Sequence, residues 1–276
     1  MVTKFLDKLR NKRVLIVGGS SGIGYGIAEG CLEFGAIVTI ASRSQSKVDS
    51  AVAKLQKTYP EHAANITGHA IALSDSPEIE DELQNLFDFA TDHKRFKLDH
   101  VVETAGDVGL MGQVNMDTVT PSLLSLLARD RLVGVTMLAK VAIRYMAPAA
   151  GSSFTMTSGA LVNKPRKGLA PVIGIGAAKE GLTRGLALDM APVRVNLVSP
   201  GAVETDLLFR SVPVAADAGE DEKEAAKDKM REMYAQHGLV GKVASVEDLA
   251  EAYLGLMKNA FQTGTLVNVE GGYLLK

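Results

Sequence analysis

The chain has 276 residues, 46% of them hydrophobic and 22% charged, with a net charge of −2. That composition suits one large globular α/β unit and gives no footing for nucleic acid or another polyanion. A single cysteine, Cys31, excludes an internal disulfide and a cysteine-rich metal site, and the five histidines (His62, His69, His93, His100, His237) show no metal-ligand spacing.

The stretch Met1–Arg10 has no apolar core of signal-peptide length, and no apolar run reaches membrane-span length. The expectation is a cytoplasmic protein with no metal and no membrane partner. Apolar bursts and helical stretches alternate from the start. Arg13–Val17 reads as a strand, Gly22–Phe34 as a helix, Ala36–Ala41 as a strand and Ser46–Tyr59 as an amphipathic helix. Cys31 falls in the first helical pattern as a small buried hydrophobe. Asn65–Leu73 is a strand, Pro77–His93 a helix and Leu98–Thr104 a strand, before one long helix over Pro121–Met146. Ser152–Ser158, Arg194–Val198 and Thr265–Val269 are further strands, with a helix at Ile175–Met190. This order predicts a single-domain, doubly wound parallel sheet of seven strands with helices on both faces. The one compositional break, Val212–Gln236, is charged and alanine-rich. It reads either as a solvated surface helix or as part of a helical substrate lid at about 204–238.

Val17-Gly18-Gly19-Ser20-Ser21-Gly22-Ile23-Gly24 joins the first strand to the first helix. Glycines there allow a tight turn and a close approach of phosphate oxygens to backbone N–H groups at the helix start. The second strand ends in Ser42-Arg43-Ser44 with no carboxylate. A hydroxyl and a guanidinium suit a ribose 2′-phosphate, so the expected cofactor is NADP(H), with Lys47 one turn on either adding charge or simply solvated.

Further motifs extend the pattern. Ala105-Gly106 follows the fourth strand, Thr157-Ser158 ends the fifth, and Lys179 lies in the following helix. Ser199-Pro200-Gly201-Ala202-Val203-Glu204-Thr205 follows the sixth, and Gly264 and Gly271-Gly272 flank the last. On these residues the chain resembles the short-chain dehydrogenase/reductase family over nearly its whole length. The resemblance implies a Rossmann sheet, with cofactor contacts at Gly18, Ser20, Ser21, Gly22, Ile23, Gly24, Ser42, Arg43, Ser44, Leu73, Ser74, Ala105, Gly106, Lys179, Pro200, Gly201, Val203 and Thr205. Ser158, Lys179 and Arg131 are the implied catalytic residues.

Departures from the family pattern carry the functional argument. Ile175 stands four residues before Lys179, where the family has its tyrosine, and Arg131 stands for the asparagine of the proton relay. Glu103-Thr104 replaces paired asparagines, Ala72 stands where an adenine-contacting aspartate is common, and Asn163–Gly168 lengthens the serine–lysine spacing. The combination is similar to divergent fungal secondary-metabolism members of the malbrancheamide/paraherquamide type, some of which reduce an iminium and some of which also steer a Diels–Alder cyclisation. In the bifunctional members an aspartate and a tryptophan lie on the loop that here carries Arg166 and Leu169, and this chain has no tryptophan. That difference weighs against the cyclisation.

Ketone reduction needs a proton on oxygen, and losing a general acid costs about 100- to 10,000-fold in rate. An iminium carbon takes hydride with no proton transfer. The expected activity is therefore NADPH-dependent reduction of an iminium or another activated small molecule in alkaloid-type metabolism. The alternatives are a bifunctional reductase/Diels-Alderase and a non-catalytic NADP(H)-binding sensor or scaffold. Lys179 would bond the nicotinamide ribose and supply positive charge; Arg131 either holds a substrate oxygen bidentately or pairs with Asp130 or Glu103. Tyr145 and Tyr234 are candidates to replace the lost acid, although Tyr145 ends the long helix, far from Lys179 in the family pattern. Apolar helix faces (Met137, Leu138, Met146; Leu182, Leu186, Met190) either pack on the sheet or join subunits, and the family resemblance implies a homo-tetramer or homo-dimer.

Overall fold

The structure, a computed structural model, describes residues 3–106, 114–210 and 219–276. Seven strands form one parallel sheet: β1 (Arg13–Val17), β2 (Ile37–Ser42), β3 (Ile66–Ala70), β4 (His100–Glu103), β5 (Ser153–Thr157), β6 (Arg194–Pro200) and β7 (Leu266–Val269). Their spatial order is β3-β2-β1-β4-β5-β6-β7. The order reverses between β1 and β4, which pair with Val17 opposite Glu103. Such a reversal opens a crevice at the carboxyl ends of the strands.

Buried strands need apolar residues on both faces, and β1 shows why the sequence reads as a near-continuous apolar run. Leu15 and Val17 join one core with Leu83, Leu86 and Phe87 of α3 (Ile79–Thr91) and Leu138 and Ala142 of α5 (Gly134–Tyr145). Val14 and Ile16 join the other with Ile27 and Leu32 of α1 (Gly22–Glu33), Leu55 of α2 (Gln45–Thr58) and Leu249 and Leu254 of α9 (Val246–Lys258). Cys31 is fully buried there, and burial pushes its thiol up to about 12. Tyr145 is locked in the first core against Phe87, so it supplies no acid to the crevice.

Three elements differ from the sequence reading. The expected helix at Pro121–Met146 is α4 (Pro121–Ala128) and α5, joined by a π-helical turn at Arg129–Val133. Helix α6 (Ala170–Asp189) begins five residues before Ile175, because Pro171 sits in its first turn, where its missing N–H costs nothing. Helix α9 has no counterpart in the reading. Its signal was present: Ser245 and Asp248 form a reciprocal capping box ahead of apolar residues at helical spacing.

The segment expected as a lid holds α7 (Asp206–Phe209) and α8 (Glu220–Ala235); its residues 211–218 lie outside the described residues. Arg231 of α8 is tied to the crevice rim by Glu204 (2.5 Å) and also bonds Glu224 and Asp228. Among the described residues no helix is long and apolar enough to cross a membrane.

His100 begins β4 fully buried, with Nδ1 2.9 Å from Ser153 Oγ. Burial drives its pKa from the ordinary 6.5 down to about 3. The folded protein keeps it neutral while the unfolded chain protonates it. Its stabilising contribution is therefore full above pH 6.5 and falls as pH drops from 6.5 towards about 3. The expected slope is about 1.4 kcal/mol per pH unit. Chemical denaturation of His100→Asn across that range should show a shallower decline than the parent; parallel curves would contradict this assignment.

Candidate functional site

At the β1–α1 junction the chain turns at Gly18 (φ +99°) and Gly22 (φ +53°), backbone conformations that favour glycine. A side chain at Gly18 would lie 2.5 Å from Thr104 Oγ1, and one at Gly24 would strike the Gly18 carbonyl. Gly18 and Gly19 donate their N–H groups to Ala41 O (2.7 and 3.2 Å), which pins the loop to the end of β2. Ser21 caps α1 with extended backbone and no side-chain hydrogen bond, and no acidic residue occupies the first turn of α1. The helix end thus offers unspent N–H groups to a diphosphate.

Ser20 Oγ bonds Ser42 Oγ at 2.9 Å, joining the loop to the Ser42-Arg43-Ser44 strand end. Ser44 caps α2, and Arg43 lines a separate depression of about 270 Å³ with His69, Ala72 and Glu82. Leu73 and Ser74 pack against Gly134 at the start of α5, and the Ala105 backbone abuts Gly18. Across the crevice, Thr205 lies over Gly22: a Cβ on Gly22 would meet its Cγ2 at 3.1 Å.

A cleft of about 880 Å³ continues from this loop between α6, the Pro200–Thr205 turn and α8. Of the residues expected from sequence, Ile23, Arg131, Ser158, Lys179, Pro200, Gly201, Val203 and Thr205 line it. The loop residues Gly18, Ser20, Ser21, Gly22 and Gly24, the β2-end residues Ser42, Arg43 and Ser44, and Leu73, Ser74, Ala105 and Gly106 do not line it. Arg131 sits on the π turn, and its guanidinium lies 3.3 Å from where a Cβ on Gly106 would be. A π turn rotates the following residues relative to an α-helix and recurs at functional positions.

Lys179 lines the cleft although only 2% exposed. Its Nζ donates to Glu103 Oε2 at 2.7 Å and to Thr157 O at 2.9 Å. Burial is the largest influence on its pKa and lowers it; the Glu103 carboxylate pulls it back up, and Arg131 lowers it further. The lysine, expected from sequence to supply positive charge, thus enters the site as half of an ion pair. Thr157 Oγ1 donates to Glu103 O (2.6 Å), so the Tyr253 hydroxyl, 2.8 Å away, donates to Thr157 Oγ1. Tyr253 belongs to the α9-side core, is fully buried and does not line the cleft.

Ser158 donates to Gly176 O at 3.4 Å. Helix α6 presents Val172, Ile173, Gly176 and Lys179 to the cleft, and Ile175 is half-buried outside that lining. No residue of this face has a proton to give other than the lysine. Two tyrosines do line the cleft, Tyr234 and Tyr273, and both are engaged with Arg166. The Arg166 guanidinium lies 6.0 Å from the Tyr234 ring and 5.7 Å from the Tyr273 ring, and its Nε donates to the Tyr273 hydroxyl at 3.3 Å. His237 lines the cleft while bonding Met233 O. Glu103 as partner of Lys179, together with Thr157, Tyr253 and Tyr273, was missed from sequence. Their relevance depends on which strand ends meet, and no local motif encodes that.

Gly24→Ala is expected to push the Gly18–Ser21 loop off its helix. Dinucleotide binding, followed by fluorescence titration, should fall at least about tenfold; unchanged affinity would place the ligand elsewhere.

A family profile described as an SDR-like Rossmann domain matches residues 5–276. The chain is 37% identical over 272 residues to the short-chain dehydrogenase/reductase malC of Malbranchea aurantiaca, covering 98% of this chain and 97% of that one. It is 34% identical over 277 residues to ucsE of an Acremonium species, with full coverage of both. Among solved structures, the MalC reductase/Diels-Alderase from Malbranchea aurantiaca superposes with a TM-score of 0.87 at 34% identity, covering 98% of this chain and 99% of that one. With this match along its whole length, the chain belongs to the short-chain dehydrogenase/reductase family of oxidoreductases.

Proposed function

We propose that the protein is an NADP(H)-dependent reductase that adds hydride to an iminium or a similarly activated small molecule in specialised, alkaloid-type metabolism. One observation carries the reading: the Lys179 ammonium bonds only Glu103 and Thr157 among the described residues, and no tyrosine hydroxyl reaches it. The nearest phenol in the network, Tyr253, is one threonine removed and sealed in the core. A neutral carbonyl would find hydrogen-bond donors here but no phenol beside the lysine; a cationic acceptor needs no acid. The glycine loop and the uncapped α1 terminus would hold the diphosphate, and the cofactor would supply the hydride. Ser158 and Arg131 then orient the acceptor, and the apolar lining of Val172, Ile173 and Leu169 excludes water.

Turnover of a cyclic iminium should exceed that of the matched ketone by at least about 100-fold, read as cofactor oxidation. Comparable rates would remove the basis for the proposal. Cofactor choice rests on Arg43. Arg43→Ala should weaken NADPH by about tenfold or more and leave NADH almost unaffected, as measured by titration with each. Equal losses for both would argue against a 2′-phosphate contact.

The second reading, a reductase that also guides a pericyclic closure, is favoured by the similarity to the MalC reductase/Diels-Alderase and by Arg131 in the cleft. Product stereochemistry with a reduced azadiene separates the two readings, and absence of any cofactor oxidation would leave the binding-protein reading. We further propose a homo-oligomer. Leu124 and Leu126 of α4 and Leu188 of α6 are exposed, and exposed apolar residues on neighbouring helices suit a symmetric contact.

A further inference from the structure

A carboxylate at the inner end of a central strand is costly to bury, and Glu103 is 0% exposed. Its Oε2 meets Lys179, but its Oε1 is buried with no hydrogen-bond partner among the described residues. A half-satisfied buried ion pair is a poor way to gain stability, since apolar residues of similar size do as well or better. The pair nevertheless sits at the head of the cleft, held by two strands at once: β4 through the Glu103 carboxylate and β5 through the Thr157 carbonyl. Two of the three Lys179 donors are spent there, and the lysine lines the cleft. Arg131, another cation of the cleft lining, is close enough to lower the Lys179 pKa.

We infer that Glu103 is a specificity-determining residue: by cancelling the Lys179 charge it fits the reaction centre to ligands that carry a positive charge. The inference rests on the proposed iminium reading and adds the residue that makes it electrostatically workable. Hydride addition turns a cationic acceptor into a neutral amine and leaves the positive charge on the oxidised nicotinamide ring. One ligand-borne cation therefore faces the site before and after the reaction. A bare Lys179 ammonium would repel it in both states; the Glu103 carboxylate removes that repulsion. Ketone reduction makes the opposite demand, because negative charge builds on oxygen and a bare ammonium would help.

The test compares dissociation constants for NADP+ and NADPH by fluorescence titration in the parent, Glu103→Gln, Lys179→Met and the double variant. Glu103→Gln should weaken NADP+ relative to NADPH by about tenfold, Lys179→Met should shift the ratio the other way, and the double variant should return close to the parent. A purely structural role would weaken both forms alike. An unchanged ratio in a folded Glu103→Gln protein overturns the inference. Should that variant fail to fold, Lys179→Met and the double variant, compared with each other, carry the same test: equal ratios overturn it. Steady-state turnover of iminium and ketone by the same proteins separates the two layers. A shifted cofactor ratio without any preference for the iminium would retain the role of Glu103 and discard the iminium reading.

Discussion

The arrangement of the cleft depends on one buried ion pair. Lys179 reaches it from α6, crosses beneath the ends of β4 and β5, and is anchored there by Glu103 and Thr157. Removing either partner would strand a charge in a low-dielectric interior, an event that typically costs about 3–5 kcal/mol. The position of α6 relative to the sheet is therefore coupled to the chemistry of the site. The same strand ends carry the contact between Ala105 and Gly18, so the glycine loop and the lysine share a common support.

A second layer holds this support in place. Tyr253 reaches from α9 through Thr157 to the Glu103 backbone, so the helix that packs on α1 also braces the strand end beneath Lys179. Arg194 fastens the far end of α9: its guanidinium donates to Leu256 O at 2.7 Å and Met257 O at 3.1 Å, and its Nε to Ala150 O at 2.6 Å. The last carbonyls of a helix lack partners within the helix, and a buried guanidinium with five donors supplies them.

Much of the fold was legible because its signals are local. The strands announce themselves as short apolar runs, and the glycine loop does so through its spacing, since Gly18 and Gly24 leave no room for a Cβ. The long helix was legible in extent but not in its π turn, because α4 and α5 each keep helical spacing and only the phase between them shifts by about 100°. Helix α9 went unread although its capping box was present in Ser245 and Asp248. The site was legible as a set of residues but not as a charge distribution. Glu103 was visible as a departure at a strand end and as a possible partner of Arg131, and nothing within a few residues of it names Lys179, 76 positions away, as its partner.

The π turn at Arg129–Val133 also makes the register of the cleft unusually sensitive to chain length. It accommodates one residue more than an α-helical turn would, and Arg131 sits in its middle. Shortening the segment by a single residue would let α4 and α5 merge into one uninterrupted helix, at little expense to the core that Leu138 and Ala142 build. The guanidinium would then swing by about 100° around the axis and leave the wall it now forms. The active surface could thus lose its arginine through a deletion, with every remaining side chain chemically intact.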